Sequence, residues 1–186
     1  MMNLRKLNAM RQLKEEFENL NRNPNLNLGY NSVGLPNDND IFKWRVDLIA
    51  PRDNPYEGGF YHVIMHFPDD YPNSPPKVRF VTPIYHLNVN PKRNNSEPPG
   101  NVCLSILSKW NPDFKVEDII VSLYSLFYMT NPESPFSFQR ENEYRNNRTL
   151  YEEKIKYFTY KFANTSNPRF GYNPRYLNEW DFSYNP

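Results

Sequence analysis

The sequence predicts an α+β fold whose helices and strands are segregated along the chain. Three observations carry this. Apolar residues recur at helical spacing over residues 3–21. They alternate with polar residues at period two in consecutive runs between 41 and 81, joined by short, turn-rich connections. Helical spacing returns at 116 and continues to about 163, after a long stretch with no period.

In the first helix Met10, Leu13, Phe17 and Leu20 form one stripe, extended backwards by Leu4 and Leu7. Arg11, Lys14, Glu15 and Glu18 take the opposite face. Pro24 in RNPN ends the helix, because the residue before a proline is disfavoured in the α region. Four strand-like runs follow. The first, around 28–35, has the weakest pattern. In IFKWRVDLIA (41–50) Phe42, Trp44, Val46 and Leu48 alternate with Lys43, Arg45 and Asp47. GGFYHVIMHF (58–67) is reached through the turn residues of PRDNPYEGG, and KVRFV (77–81) through PDDYPNSPP. Such connections suit an antiparallel meander. Residues 82–115 hold no period, and a long irregular segment inside a compact domain is usually functional or disordered. Ile119, Ile120, Leu123, Leu126 and Phe127 mark a core helix over 116–129, broken by TNPESP. Two more helices are expected at about 137–145 and 147–163. The chain thus divides into a core domain, 1–163, and an aromatic-rich extension, 164–186.

A length of 186 residues suits one domain with a real core. The 22 basic and 21 acidic residues are mixed along the chain and leave a net charge of +1, so no broad field favours nucleic acid or an acidic membrane. No run approaches the ~20 apolar residues of a membrane span. The N-terminus has no apolar signal core, and Glu15, Glu16 and Glu18 argue against a transit peptide. A single Cys cannot form an internal disulfide, which points to a reducing compartment, the cytoplasm or the nucleus. Asn-x-Ser/Thr triplets at Asn94 and Asn147 are expected by chance in a chain so rich in Asn.

That one Cys lies in GNVCLSILSKWNP, residues 100–112. A lone cysteine is most often a small buried hydrophobe. Cys103 instead follows Pro98, Pro99 and Gly100 in the irregular segment, where a thiol is held at a bend and within reach. His62 and His66 share one face of a strand. With no further ligand at a fitting spacing, they read as a half-exposed strand face rather than a metal site. His86 is either the partner of a Cys–His dyad or a structural histidine that ties the loop.

PYEGGFYHVIMHFPDDYPNSPPKVRFVTPIYHLNVN, followed by GNVCLSILSKWNP and TNPESPF, resembles the ubiquitin-conjugating enzymes. The resemblance runs from about residue 9 to 163 and keeps the motifs in family order. It implies the UBC-like fold: an N-terminal helix, a four-stranded antiparallel meander, an irregular active-site loop and C-terminal helices. It implies that Cys103 forms a thioester with the C-terminal glycine of ubiquitin or a ubiquitin-like protein. The partners it implies are an activating enzyme, a RING or HECT-type ligase and protein substrates. No cofactor is implied, since ATP is used upstream by the activating enzyme. Asn88 matches the Asn of the family's His-Pro-Asn motif, with an oxyanion-stabilising or loop-bracing role, and His86 matches its structural His. Tyr85 would line the lysine approach. Ser134 would orient the incoming lysine at the mouth of the site. Ser105 stands where relatives often have Asp, and Glu133, beside Ser134, is placed to compensate for lost acidity. Arg11 and Lys14 match positions that serve the activating enzyme and ligases, as do Asn73, Trp110 and Pro112 in the ligase-binding loops. Val121 and Ser125 match donor-modifier contacts, although Val121 reads equally as core.

The departures are specific. The motif's Pro is Leu87, which gives up a fixed φ. Relatives are shorter between Asn88 and Cys103, so 91–99 is an insertion. Asn73 replaces a common aromatic, and Asp113 a common small residue. The extension carries Phe170, Tyr172, Tyr176, Trp180 and Phe182, which points to packing on the domain or docking of a partner, with a short helix at 174–180. Two rival functions remain, an inactive scaffold of this fold that binds ubiquitin and a cysteine hydrolase with His86 as its base.

Overall fold

The computed structural model describes residues 3–22, 29–36, 40–91 and 99–164. The expected extension helix at 174–180, and most of the 91–99 insertion, lie outside these residues. Helix α1 spans Leu4–Arg22. Strands β1 (Tyr30–Gly34), β2 (Lys43–Ile49), β3 (Phe60–His66) and β4 (Lys77–Phe80) form a 4-stranded sheet in the order β1-β2-β3-β4. Each neighbouring pair is antiparallel, as short connections require. After the sheet come α2 (Ser105–Ser108), α3 (Val116–Ser125), α4 (Phe138–Asn146) and α5 (Arg148–Phe158). The chain is an α+β protein with the fold order expected of its sequence.

The period-two pattern sets the register. Trp44 opposes Met65, Val46 opposes Val63, and Leu48 opposes Tyr61. Val63 and Met65 in turn oppose Phe80 and Val78. All of these are buried. A one-residue slip would send them to the outer face, where Arg45, His62 and Arg79 now sit. On that face His62 Nδ1 lies 2.6 Å from the Asp47 carboxylate. Phe17 of α1 meets Trp44 edge-on at 5.2 Å, and Tyr61 of β3 meets Phe127, just beyond α3, at 5.3 Å.

Helix α1 is tied to α3 by a side chain that periodicity does not single out. Glu16 is buried, and its carboxylate accepts the Val116 N–H at 2.8 Å and the Tyr71 hydroxyl at 3.1 Å. It thereby satisfies an N–H at the start of α3 that has no partner within the helix.

Two boundaries differ from the sequence reading. The helix expected to reach 129 ends at Ser125, and Leu126 to Met129 continue in turns whose N–H groups reach back three or four residues. The helix expected over 147–163 is α-helical to Phe158 and widens into a π turn over Thr159–Ala163. The irregular segment also contains α2, which at 4 residues is too short to show a period.

Residues 81–90 have no regular structure, yet every one of them is buried. Buried backbone groups must be paired. Here most partners lie elsewhere in the chain, and they build the site.

Candidate active site

The Cys103 segment is extended and wedged between two neighbours. Asn90 N–H donates to Asn101 O at 2.8 Å, Gly100 N–H to Asn90 O at 2.9 Å, and Cys103 N–H to Asn88 O at 2.9 Å. On the other side Phe80 N–H donates to Gly100 O at 2.9 Å. Gly100 turns the chain into this slot with φ of 85°, a conformation that a side chain would strain. Successive residues of an extended segment point opposite ways. Leu104 is buried, and the Cys103 thiol is exposed. Bonds between Asn90 and Gly100–Asn101 close the stem of the insertion. Extra residues beyond that stem therefore leave the anchoring of Cys103 unchanged.

Asn88 is the centre of the arrangement. Its Nδ2 donates to Asn131 O at 2.7 Å and to Ser134 O at 2.8 Å, and its Oδ1 accepts the Asn131 N–H at 2.7 Å. One buried amide thus ties the cysteine segment to the 131–134 loop. Both of its donors are committed to carbonyls, an arrangement that braces. Ser134 is exposed at the edge of this loop. Arg145 buttresses it from α4, donating to Pro132 O at 3.1 Å and pairing with Glu133 at 3.2 Å. The charge of Glu133, expected to compensate for missing acidic groups, is therefore shared with a cation. Ser105 is exposed at the first position of α2.

His86 is wholly buried. Its Nδ1 accepts the Asn88 N–H at 3.0 Å, so Nε2 carries the proton and donates to Leu126 O at 3.0 Å. Neither nitrogen is available to Cys103, which removes the dyad alternative. Burial drives its pKa from 6.5 down to about 4. Because the folded value lies below the unfolded one, the unfolded chain takes up the proton first as pH falls. Stability is complete above pH 6.5 and declines down to about pH 4, by about 3 kcal/mol from this residue. In urea denaturation across that range, His86→Gln is expected to lack this part of the slope.

Tyr85 is a correction. It does not line an approach to Cys103. Its side chain is buried, and its hydroxyl donates to Glu143 Oε2 at 2.5 Å. Its ring packs on Tyr151 at 5.5 Å and Phe158 at 5.2 Å. Burial, and then the bond to Glu143, raise its pKa. A tyrosine flanked by buried residues of an irregular segment has an apolar ring to hide, and two aromatic side chains of α5 hide it.

Sequence reasoning missed Arg140. It is buried, and its Nη1 donates to His86 O at 3.0 Å and Val89 O at 3.3 Å. The buried residues of α4 are Arg140 and Glu143, three apart on one face. A search for apolar periodicity passes over such a face, because its inward positions are charged.

The remaining candidates lie on separate surfaces. Trp110 Nε1 donates to Pro72 O at 2.7 Å, and its ring meets Phe114 at 5.8 Å. It fastens the 110–114 loop to the loop that carries Asn73, and both Asn73 and Pro112 are exposed. Arg11 and Lys14 are exposed on α1. Arg11 borders a cleft of about 590 Å³ shared with Lys115 and Glu117. Val121 is 44% exposed, so the reading of it as core is overturned. Ser125 is half-buried and donates to Ser122 O at 2.7 Å.

Fold and site together define a cysteine-bearing α+β domain. A meander lies between terminal helices, and a side-chain-braced loop presents one thiol. A family model described as ubiquitin-conjugating enzyme matches residues 12–159. The chain belongs to the ubiquitin-conjugating enzyme family.

Proposed function

We propose that Cys103 accepts ubiquitin, or a ubiquitin-like protein, as a thioester and passes it to a substrate lysine or to a ligase. The observation that carries this reading is the exposed thiol whose own backbone N–H is held by Asn88. In the first step the Cys103 thiolate attacks the carbonyl carbon of the activating enzyme's thioester, and that enzyme's sulfur leaves as thiolate. In the second, a neutral lysine amine attacks the Cys103 thioester. The amide bond forms, the Cys103 sulfur leaves, and the extra proton on nitrogen passes to solvent. Transfer to a HECT-type ligase instead exchanges one thioester for another.

In each step the acyl–sulfur bond that breaks is replaced by an acyl bond of similar or greater stability, so the carrier needs no strong base of its own. His86, fully engaged, fits that economy. A hydrolase would need a base on the thiol or on water. Asn88 supports transfer by holding the 131–134 loop against the cysteine segment, and Ser134 and Ser105 offer hydroxyls to the incoming amine. ATP is consumed upstream, and no metal or nucleotide enters these steps. Arg11, Lys14, Asn73, Trp110 and Pro112 supply the surfaces for the activating enzyme and ligase, and Val121 with Ser125 a contact for the donor modifier.

The test is thioester charging with ATP and a ubiquitin-activating enzyme on a non-reducing gel. The expected product is one modifier per chain, lost on reduction and absent in Cys103→Ala. Cys103→Ser should instead hold an oxygen ester that survives thiol reductant. Failure with ubiquitin and with every ubiquitin-like protein would leave the non-catalytic scaffold as the better reading.

A further inference from the structure

A proline at position 87 would bring no N–H and would hold its own φ. Leu87 brings both an N–H and a freer backbone into a segment where it is 0% exposed. That N–H donates to the Tyr151 hydroxyl of α5 at 2.9 Å. On either side Arg140 of α4 holds the carbonyls of His86 and Val89, with its guanidinium 4.3 Å from the centre of the Tyr85 ring. Glu143, one turn along α4, takes the Tyr85 hydroxyl and is itself fixed by Lys154 of α5 at 2.6 Å.

We propose that Tyr151 and Arg140 are positioning residues that together replace the missing proline. They clamp residues 86–89 from behind, and through Asn88 they set the cysteine segment and the 131–134 loop. Neither touches a reacting atom. Asn88 sits between the clamped groups, bonded through its N–H to His86, through its carbonyl to Cys103, and through its side chain to Asn131 and Ser134. A buried N–H without an acceptor is strongly unfavourable. Loss of the Tyr151 hydroxyl is therefore relieved by opening this segment to water, which displaces Asn88. The kinetic consequence rests on the carrier reading, and the structural consequence does not.

The test uses the full chain. Tyr151→Phe keeps the ring and removes the acceptor, and Leu87→Pro removes the N–H that needs it. Tyr151→Phe is expected to speed hydrogen exchange of the Cys103 and Asn131 amides about tenfold by NMR, as one unpaired buried amide predicts. It should slow single-turnover discharge of preformed thioester to free lysine by about the same factor, with the final level of charging unchanged. Adding Leu87→Pro should return both rates to within about twofold of the parent, because the two sites are coupled through one bond. Purely additive effects of the two substitutions would overturn the proposal. Should Leu87→Pro not fold, Arg140→Met decides. Faster exchange at the same amides, partly restored in Arg140→Lys, supports the clamp, and unchanged exchange overturns it. If no modifier can be charged onto the parent chain, the carrier reading fails, while hydrogen exchange still decides the clamp.

Discussion

Replacing Asn88 with Ala is expected to slow transfer from Cys103 to lysine by about 100-fold, the scale on which a small misplacement of reacting groups acts. The side chain makes three hydrogen bonds to a loop more than forty residues away. Truncation leaves the Asn131 N–H, Asn131 O and Ser134 O without these partners and unties the 131–134 loop from Asn88. On the proposed reading, acceptance of the modifier from another thioester uses none of these three bonds and should change by no more than a few-fold. Asn88→Asp is the informative companion. A carboxylate keeps the acceptor for Asn131 N–H but turns two donors into charge facing the carbonyls of Asn131 and Ser134. It should therefore be as damaging as Ala or worse. Single-turnover discharge of pre-charged protein separates the two steps. Equal losses in charging and discharge would count against a bracing role.

Lys154→Met should destabilise the fold by about 3–5 kcal/mol, the largest effect expected of any substitution away from the thiol. Lys154 and Glu143 pair at 2.6 Å with side chains only 6% and 9% exposed. Removing the cation strands a buried carboxylate that also holds Tyr85. Glu143→Leu combined with Lys154→Met removes both charges and should recover most of the loss. Urea denaturation of the single and double variants measures the difference. The same pair sets an acid limit. Burial raises the pKa of Glu143, but the hydrogen bonds from Lys154, Tyr85 and Gln139 outweigh it, so the folded value lies below the ordinary 4.5. The unfolded chain therefore protonates first on acidification. The stabilisation is full above pH 4.5 and is lost as pH falls through the folded pKa. This loss begins only at the lower end of the window in which His86 acts, so on acidification most of the His86 contribution goes first and that of Glu143 follows.

Much of the fold was legible because its signals are local. The stripe Met10, Leu13, Phe17 and Leu20 predicted α1, and alternation through Trp44, Val46 and Leu48 predicted both β2 and the face it buries. Cys103 stood out because it was the only thiol and sat where no period held. The errors share one cause. Tyr85 was placed at the site by its neighbours in sequence, but its surroundings come from Glu143, Tyr151 and Phe158, whose helices pack on it from the far end of the chain. Arg140 was invisible because an inward cation gives no apolar signal. Val121 read equally as core because its spacing on α3 does not say which faces of the helix are covered. Glu133 was credited with a free charge because Arg145 lies twelve residues on.

By itself the sequence determined the element order, the inward face of each strand, the thiol and the motifs that mark the family. Backbone dihedral preferences and side-chain periodicity act over a few residues and are written in consecutive letters. Tertiary structure alone decided how the buried loop 81–90 is held. Most of its polar groups are not satisfied by their neighbours in an irregular segment. They take partners from α4 and α5, with Arg140, Glu143 and Tyr151 reaching back 54, 58 and 64 residues to His86, Tyr85 and Leu87. No local pattern encodes such a pairing, because what selects it is the requirement that every buried donor and acceptor find a partner once the chain has closed on itself.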